Sequence, residues 1–523
     1  MTTPLALIVG SGPTGMTMAI ELKKAGLDAR IIDKANHTAP HSQALVLQAR
    51  SLEQFQRYGI AETTVQRGKK LTKAMFWSEG KQILSFALDK IPSRYPYVLF
   101  LPQSETENIL REKMEALGIQ TEREVELVAM REENDRMIAK LRHNADGNAR
   151  EEQVAARWIV GCDGAHSKVR ELAGIPFEGG GVGVSFFLGD VELEGPDAPN
   201  DELSLHLHSG DVVFMGRLSE KLTRMIVASR AEQGENAQRQ LSIQDFQRAA
   251  DNAKVRVKIR SAEWMTPFHV NDLQAKHYRA GNAFLAGDAA HIHSPVGGQG
   301  MNTGIQDAAN LAWKLAAVAR GADGKLLDSY EEERAAVGKS LLRFTERGLK
   351  FATATNPLLQ GVRDTVVPFL SRSTTVQKAL VGFISETAIE YRSSSMVSDH
   401  ACDGELRAGD RMPDVNIAGR RDRGLLADWT EPQHLLILVN AKEKEKAELE
   451  KRLRNVKTLA ISSSELDEEG RRLLGSEDKL FVVRPDGYIG FRSLVSDTAD
   501  LDSYARQDGI QAARETERSA MAR

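Results

Sequence analysis

Apolar positions follow two periods along this chain, and the switches between them mark out its elements. Residues 5–9, Leu-Ala-Leu-Ile-Val, form an unbroken apolar run that stops at Gly10, the mark of a short strand buried on both faces. Helical spacing follows over 14–25 and ends at Gly26, and a second strand is expected over 29–33, closing on Asp33. The clearest helix lies far downstream. Ile305, Ala308, Ala309, Ala312, Leu315, Ala316 and Ala319 recur at i, i+3 and i+4, which predicts a helix with one buried face. An apolar strand over 283–285, Gly287-Asp288 and a loop holding Pro295, Gly297, Gly298 and Gly300 lead into it.

Between these landmarks the pattern predicts strands over 74–77 and 83–86, a helix over 104–117, and strands over 123–128, 136–141 and 154–160, with a polar turn at 144–147. Residues 180–275 are richer in alternation. Leu203, Leu205 and Leu207 alternate with His206 and His208, so the two histidines share one face of a strand. Further strands are expected over 212–215 and 222–228 and a helix over 244–255, with Trp264 and Phe268 as either aromatic walls of a pocket or core. Helices run over 327–347 and on to about residue 389, and the pattern resets at Leu406. Strands over 434–439 and 456–461 flank a charged helix at 443–453, and a hairpin over 480–483 and 488–491 turns about Pro485-Asp-Gly487.

Composition narrows the classes. The 523 residues suffice for two or three domains, and 69 basic against 73 acidic side chains leave a formal charge of −4. The one basic cluster, Arg67-Gly-Lys-Lys70, is too short to make a nucleic-acid surface. Cys162 and Cys402 stand far apart and form no metal or redox motif, which suits a reducing cytoplasm. No apolar run approaches the roughly 20 residues a spanning helix needs, and residues 5–9 read as a strand and not as part of a signal peptide.

The chemistry sits in three glycine-bearing turns. Gly10, Gly12 and Gly15 follow the first strand and precede a helix, with Asp33 at the end of the next strand. That set is a dinucleotide fingerprint: the glycines allow the turn, the approach of pyrophosphate and close helix packing, and the acid accepts ribose hydroxyls. The fingerprint leaves FAD and NAD both open. Gly161-Cys-Asp-Gly164 ends a strand ahead of Ser167, a candidate cap for a helix containing Arg170. The loop at 295–300 delivers a helix N-terminus, whose unpaired N–H groups and partial positive charge suit an anion or an electron-rich ring edge. His291 and His293 are metal ligands by residue type only, with no third ligand nearby, so no metal is expected.

In this order and spacing the three turns resemble the signature of class A FAD-dependent aromatic hydroxylases, the para-hydroxybenzoate and phenol hydroxylase family, and residues 286–302 carry the most specific part. The resemblance implies an α/β fold: a Rossmann-like FAD-binding domain (1–75, 98–180 and 276–400), an inserted mixed β-sheet substrate domain (76–97 and 181–275), and a thioredoxin-like carboxy-terminal domain (405–523) that lacks a Cys-x-x-Cys pair. It places Gly10, Gly12, Gly15, Asp33, Lys34, Gln43, Arg50, Gln103, Asp163, Asp288, Gly298, Gly300, Met301 and Asn302 at the cofactor, with Asp288 on the ribityl hydroxyls. Pro295, Gly298 and Asn302 fall at the reactive part of the ring, where backbone donors from 298–302 meet the pyrimidine edge. Gln43 departs from the arginine common at that position and makes the site less positive. The implied reaction is hydroxylation of a phenolic or polycyclic aromatic substrate, using NADPH or NADH and O2 through a flavin hydroperoxide, by a cytoplasmic homodimer. No second complete fingerprint stands in the chain, so the nicotinamide cofactor is expected to visit transiently.

Two other readings compete. A flavin-dependent halogenase shares the first fingerprint but usually carries a Trp-x-Trp pair, and the tryptophans at 77, 158, 264, 313 and 429 include none. A silent flavin-binding protein would not need the full loop from Pro295 to Asn302.

Overall fold

The computed structural model describes residues 4–512 apart from 38–43, 145–149, 230–240, 295–296, 371–372, 401 and 419–423. Gln43, Pro295 and most of the expected turn at 144–147 lie outside the described residues. A six-stranded sheet runs in the order Arg279–Ala280, Ala283–Leu285, Trp158–Gly161, Ala6–Val9, Ala29–Asp33, Thr121–Arg123. All its neighbours are parallel except the first pair. Helices cover it, and Leu7, Ile8, Ile31, Ile32, Ile159, Val160, Phe284 and Leu285 are buried, so the unbroken apolar runs reflect burial on both faces. The run expected as one strand over 154–160 is two. Arg150–Ala156 belongs to a three-stranded antiparallel sheet, and Trp158–Gly161 to the parallel one.

A second, mixed sheet of eight strands stands beside it, in the order His291–Ile292, Lys258–Ala275, Phe177–Glu194, Leu222–Ser229, Asp211–Arg217, Glu202–His208, Lys73–Ser78, Lys81–Ala87. Its two central 18-residue strands were hidden in the sequence by glycines and bulges. One face packs Val191, Val213, Met215 and Met225 under the helix Ile243–Asn252. The other gathers Val184, Phe186, Leu207 and Val212 against Leu349 of the long helix Asp328–Ala352. The carboxy-terminal unit has a sheet ordered Ser398–Asp399, Ile489–Leu494, Lys479–Val483, Leu435–Val439, Lys457–Ile461. Its core is two parallel strands joined through the helix Glu443–Arg452 and extended by an antiparallel hairpin.

The helix Gly300–Ala319 corrects one expectation. Periodicity gave it one buried face, yet every residue from Asn302 to Val318 is buried, because the helix Asp328–Ala352, the segment at Glu386 and the loop 484–488 of the carboxy-terminal unit close over its polar side. The side chains at 302, 303, 306, 307, 310 and 314 therefore need partners within the protein. Asp307 accepts from Arg334 Nε at 2.6 Å and pairs with His291 Nε2 at 2.8 Å. Glu386 takes hydrogen bonds from Thr303 Oγ1 and Gln306 Nε2. Asn310 donates to Glu333 at 2.7 Å and to Asp486 at 2.9 Å, and Lys314 donates to Glu333 at 2.8 Å. Arg484 completes the set with two bonds to Glu333 and two to Asp486. Two cations and two carboxylates are thus sealed together where the helices meet the loop 484–488. Burial pushes the Lys314 ammonium down to about 8. Burial also works against the Glu333 carboxylate, but Arg484 and Lys314 outweigh it and hold its pKa well below the ordinary value.

Removing one partner of such a set strands buried charge, at a cost of about 3–5 kcal/mol. Glu333→Gln is therefore expected to lower the thermal unfolding midpoint by several degrees; an unchanged midpoint would contradict the coupling drawn here. Glu386 makes a separate test. Burial raises its carboxyl to about 8, against a smaller pull from Arg334. A folded-state pKa above the unfolded one means that stability falls as pH rises from the ordinary carboxylate range to about 8. Glu386→Gln should flatten that part of the stability–pH curve, which denaturant titrations across the window would measure.

Candidate cofactor site

The site starts at the turn between Ala6–Val9 and the helix Pro13–Lys24. Gly10 takes φ +101°, and a Cβ there would sit 2.3 Å from the Cys162 carbonyl oxygen. A Cβ on Gly15 would sit 2.0 Å from the Gly10 oxygen, so both positions exclude side chains. Gly12 differs, because nothing stands within 4 Å of its Cβ position. Its free side opens beside Asp33, whose Oδ2 accepts from Ser11 N–H and Ser11 Oγ, each at 2.8 Å. Arg123 approaches the same oxygen at 3.7 Å, and Lys34 is exposed next to it.

The second glycine-bearing turn meets the first at Thr14. A Cβ on Gly287 would come within 2.6 Å of Thr14 Oγ1, and one on Gly304 within 2.3 Å. Asp288 stands at this junction. Its side chain is exposed, and no described residue pairs with its carboxylate. Even so, desolvation raises its pKa, with His291 opposing and Asp307 adding to the rise. Its carboxylate is thus open to solvent while protein atoms stand close around it.

The loop before Gly300–Ala319 is held by Asn302. Asn302 Oδ1 accepts from Gln48 N–H at 2.9 Å and Ser51 Oγ at 2.7 Å, and its Nδ2 donates to the Val46 and Gly298 carbonyls, each at 2.8 Å. Its side chain is therefore spent on the protein. Gln48 Nε2 adds a bond to the Gly297 carbonyl at 3.0 Å. Gly298, at φ +63°, lies so close to the strand residue Val46 that a Cβ would approach it to 2.8 Å. The first helical bond to close runs from Thr303 N–H to the Gln299 carbonyl at 2.8 Å. The N–H groups of Gly300, Met301 and Asn302 precede it and have no partner among the described residues.

Other residues singled out in the sequence are placed as follows. Gln103 holds Ala44 by two bonds, at 3.0 and 3.3 Å, and reaches Glu107 at 2.8 Å. Asp163 accepts from Ser167 Oγ at 2.6 Å and from the N–H groups of Lys168 at 2.6 Å and Val169 at 3.2 Å, so it caps a short helix. Ser167 caps Arg170 N–H as its position suggested, and the Arg170 guanidinium donates to the Ala289 carbonyl at 2.9 Å. Arg50 goes to the seam: it pairs with Glu53 at 2.9 Å, donates to the Asp486 carbonyl and lies 5.1 Å from the Tyr488 ring centre. None of those partners belongs to the glycine loop. His206 stacks on Trp77, its ring pushed down to about 4 by burial, on the strand face opposite Leu205 and Leu207. Periodicity overlooked Gln48, Ser51 and Thr14. The polar side chains at four-residue spacing, 302, 306, 310 and 314, were the signal that could have revealed the buried stripe.

The geometry agrees with what the chain is similar to. The family model described as an FAD binding domain matches residues 3–345. The 6-methylpretetramide 4-monooxygenase of Streptomyces rimosus is 32% identical over 95% of this chain and 92% of its own length. The pentachlorophenol 4-monooxygenase of Sphingobium chlorophenolicum is 33% identical over 85% of this chain and 81% of its own. Among solved structures, the anhydrotetracycline hydroxylase of Streptomyces rimosus superposes with a TM-score of 0.77 at 28% identity, covering 96% of this chain and 98% of that one. This chain belongs to the family of FAD-dependent aromatic monooxygenases.

Proposed function

We propose that the chain hydroxylates a phenolic or polycyclic aromatic compound at an FAD held between the fingerprint turn and the glycine loop. The observation that carries this reading is the Asp288 carboxylate, exposed and without a partner among the described residues where the two glycine-bearing turns meet. A carboxylate there is free to accept hydrogen bonds from a ligand, and the hydroxyls of a ribityl chain are such donors. FAD fits on two further counts. Gly12 leaves room for pyrophosphate beside a helix N-terminus, and the N–H groups of Gly300, Met301 and Asn302 at the start of their helix would supply donors to the negative charge of a reduced ring.

The chemistry bound FAD supplies is uptake of two electrons from NADPH or NADH and transfer of one oxygen atom from O2. The protein's part is placement. Asp33 would take the ribose hydroxyls, Asp288 the ribityl chain and the helix end the pyrimidine edge, while Asn302 fixes the loop that carries those amides. Asp163, Gln103 and Arg50 act one step back, by shaping the segments they cap or tether.

We divide the chain into the FAD-binding unit (1–75, 98–180 and 276–400), the substrate sheet (76–97 and 181–275) and a thioredoxin-like unit (405–523). The last assignment is supported by its four-strand core, with order second, first, third, fourth and only the first pair parallel. A homodimer follows from the resemblance alone. A cytoplasmic location is supported by two free cysteines, and no helix among the described residues is long and apolar enough to cross a membrane. The relatives named for 6-methylpretetramide and pentachlorophenol support the substrate class.

Asp288→Ala is expected to purify with much less flavin than the wild type, with FAD affinity down about tenfold or more for the loss of charge-assisted hydrogen bonds; full flavin content in the variant would remove the residue from the ribityl chain. The wild type should oxidise NADPH faster when a phenol is present and release product heavier by one oxygen, as mass spectrometry would show. NADPH oxidation that no phenol accelerates would count against hydroxylation.

A further inference from the structure

Asp288 sits in a single short turn, Gly287–Ala289, which one bond closes on itself, from the Ala290 N–H to the Gly287 carbonyl at 2.8 Å. So little internal bonding cannot fix a side chain, and the turn is held mainly from outside. On the near side of Asp288 the Gly287 N–H donates to Asp307 Oδ2 at 2.9 Å, and on the far side His291 Nε2 donates to the same oxygen at 2.8 Å. Arg170 adds a bond to the Ala289 carbonyl at 2.9 Å. One buried carboxylate oxygen therefore grips the chain both before and after Asp288.

His291 gives its hydrogen bonding to this grip alone among the described residues. Its ring stacks on Tyr278, with centres 6.1 Å apart, and its Nδ1 is buried without a partner. The other Asp307 oxygen, Oδ1, accepts from Arg334 Nε at 2.6 Å, and the same guanidinium donates to the Tyr391 hydroxyl at 2.8 Å and to the Thr303 carbonyl at 3.1 Å. Thr303 directly follows the three residues whose N–H groups lack a partner among the described residues. Asp307 thus joins, through one side chain, the turn that carries Asp288 and the start of the helix Gly300–Ala319. Burial works against its carboxylate, but Arg334, His291 and the Gly287 N–H outweigh burial and hold its pKa below the ordinary value.

We propose that Asp307 is a positioning residue for the cofactor, which aims the Asp288 carboxylate at the ribityl chain by holding Gly287 and His291. The proposal rests on the reading of Asp288 above and names what makes that residue effective. Contacts of this kind work when their groups are held to within about 0.5 Å by a supporting shell. A carboxylate on a turn free to rock would lose binding energy to its own ordering. Asp307 supplies that order before FAD arrives, and it touches neither the ribityl chain nor the ring.

A cycle of substitutions tests it, with FAD affinity as the readout. Each full-length protein is saturated with FAD and diluted, and the fluorescence of the released flavin gives the dissociation constant. Asp307→Asn is expected to weaken FAD about tenfold when Asp288 is present and less than about twofold when Asp288 is already alanine, since nothing is then left to aim. A role in packing alone would weaken FAD equally in both backgrounds. That result, or an undiminished affinity in the single variant, would overturn the proposal. Should Asp307→Asn fail to fold, because Arg334 loses its charged partner, the same cycle is run with His291→Phe, which keeps a ring against Tyr278 and removes only the donor to Asp307. His291→Gln returns an N–H to that oxygen and should recover most of the affinity; a glutamine variant as weak as the phenylalanine one would also overturn the assignment. If Asp288→Ala alone retains full affinity, the reading of Asp288 fails and this proposal with it; if Asp288→Ala loses FAD but the cycle shows no coupling, only the role of Asp307 is lost.

Discussion

The structure depends on a helix that has no solvent face. From Asn302 to Val318 the helix Gly300–Ala319 is enclosed, and a polar group shut away from water costs roughly 1–3 kcal/mol unless it is paired. Each rung of its polar stripe is bound to a different part of the chain. Asn302 secures the glycine loop to the strand at Val46 and to the helix Ala49–Tyr58. Asp307 ties down His291 and Arg334, and through them the segment carrying Asp288. Asn310 and Lys314 reach the carboxy-terminal unit through Glu333 and Asp486. A shift of this helix would break contacts at every level, so its N-terminus is held in place by the whole assembly.

That arrangement gives the carboxy-terminal unit a structural task. It has no cysteine, and Cys402 just ahead of it stands alone with burial raising the thiol pKa. Its loop 484–488 instead takes Arg57 at the Pro485 carbonyl, Arg50 and Gln54 at the Asp486 carbonyl, and Asn310 at the Asp486 carboxylate. The loop thus binds the second helix of the nucleotide unit and the glycine-loop helix at once. Breaking any one of these contacts would strand a buried donor, which makes the unit a clamp on the cofactor site.

Much of the frame was legible in the sequence because burial on both faces leaves continuous apolar runs. The strand expected over 29–33 is found as Ala29–Asp33, and the fingerprint helix within a residue of its expected bounds. Two kinds of feature were not legible. The strands Phe177–Glu194 and Lys258–Ala275 contain glycines, a proline and register shifts that erase the period of two. The seam was invisible because its charged residues look like surface residues until their partners, about 150 positions away in the case of Glu333 and Arg484, are brought to them. Arg50 shows the same effect on one residue: besides its neighbour Glu53, its partners Asp486 and Tyr488 stand more than 400 positions away in the loop 484–488.

What the motifs encode at the site is chiefly backbone. Asn302 and Asp163 are spent on loops and helix ends, and Gln103 on Ala44. The groups without a partner among the described residues are the N–H groups of residues 300–302 and the carboxylate of Asp288. Amide donors are fixed dipoles: they need no reorganisation when charge appears beside them, and no substitution other than proline removes them. Their cost falls on the residues that let the backbone come close, which is why Gly10, Gly15, Gly287 and Gly298 sit where a Cβ would collide. Polar side chains then hold those turns in place: Asn302, Asp163 and Gln103 act as scaffolding while the glycines make room for the chemistry.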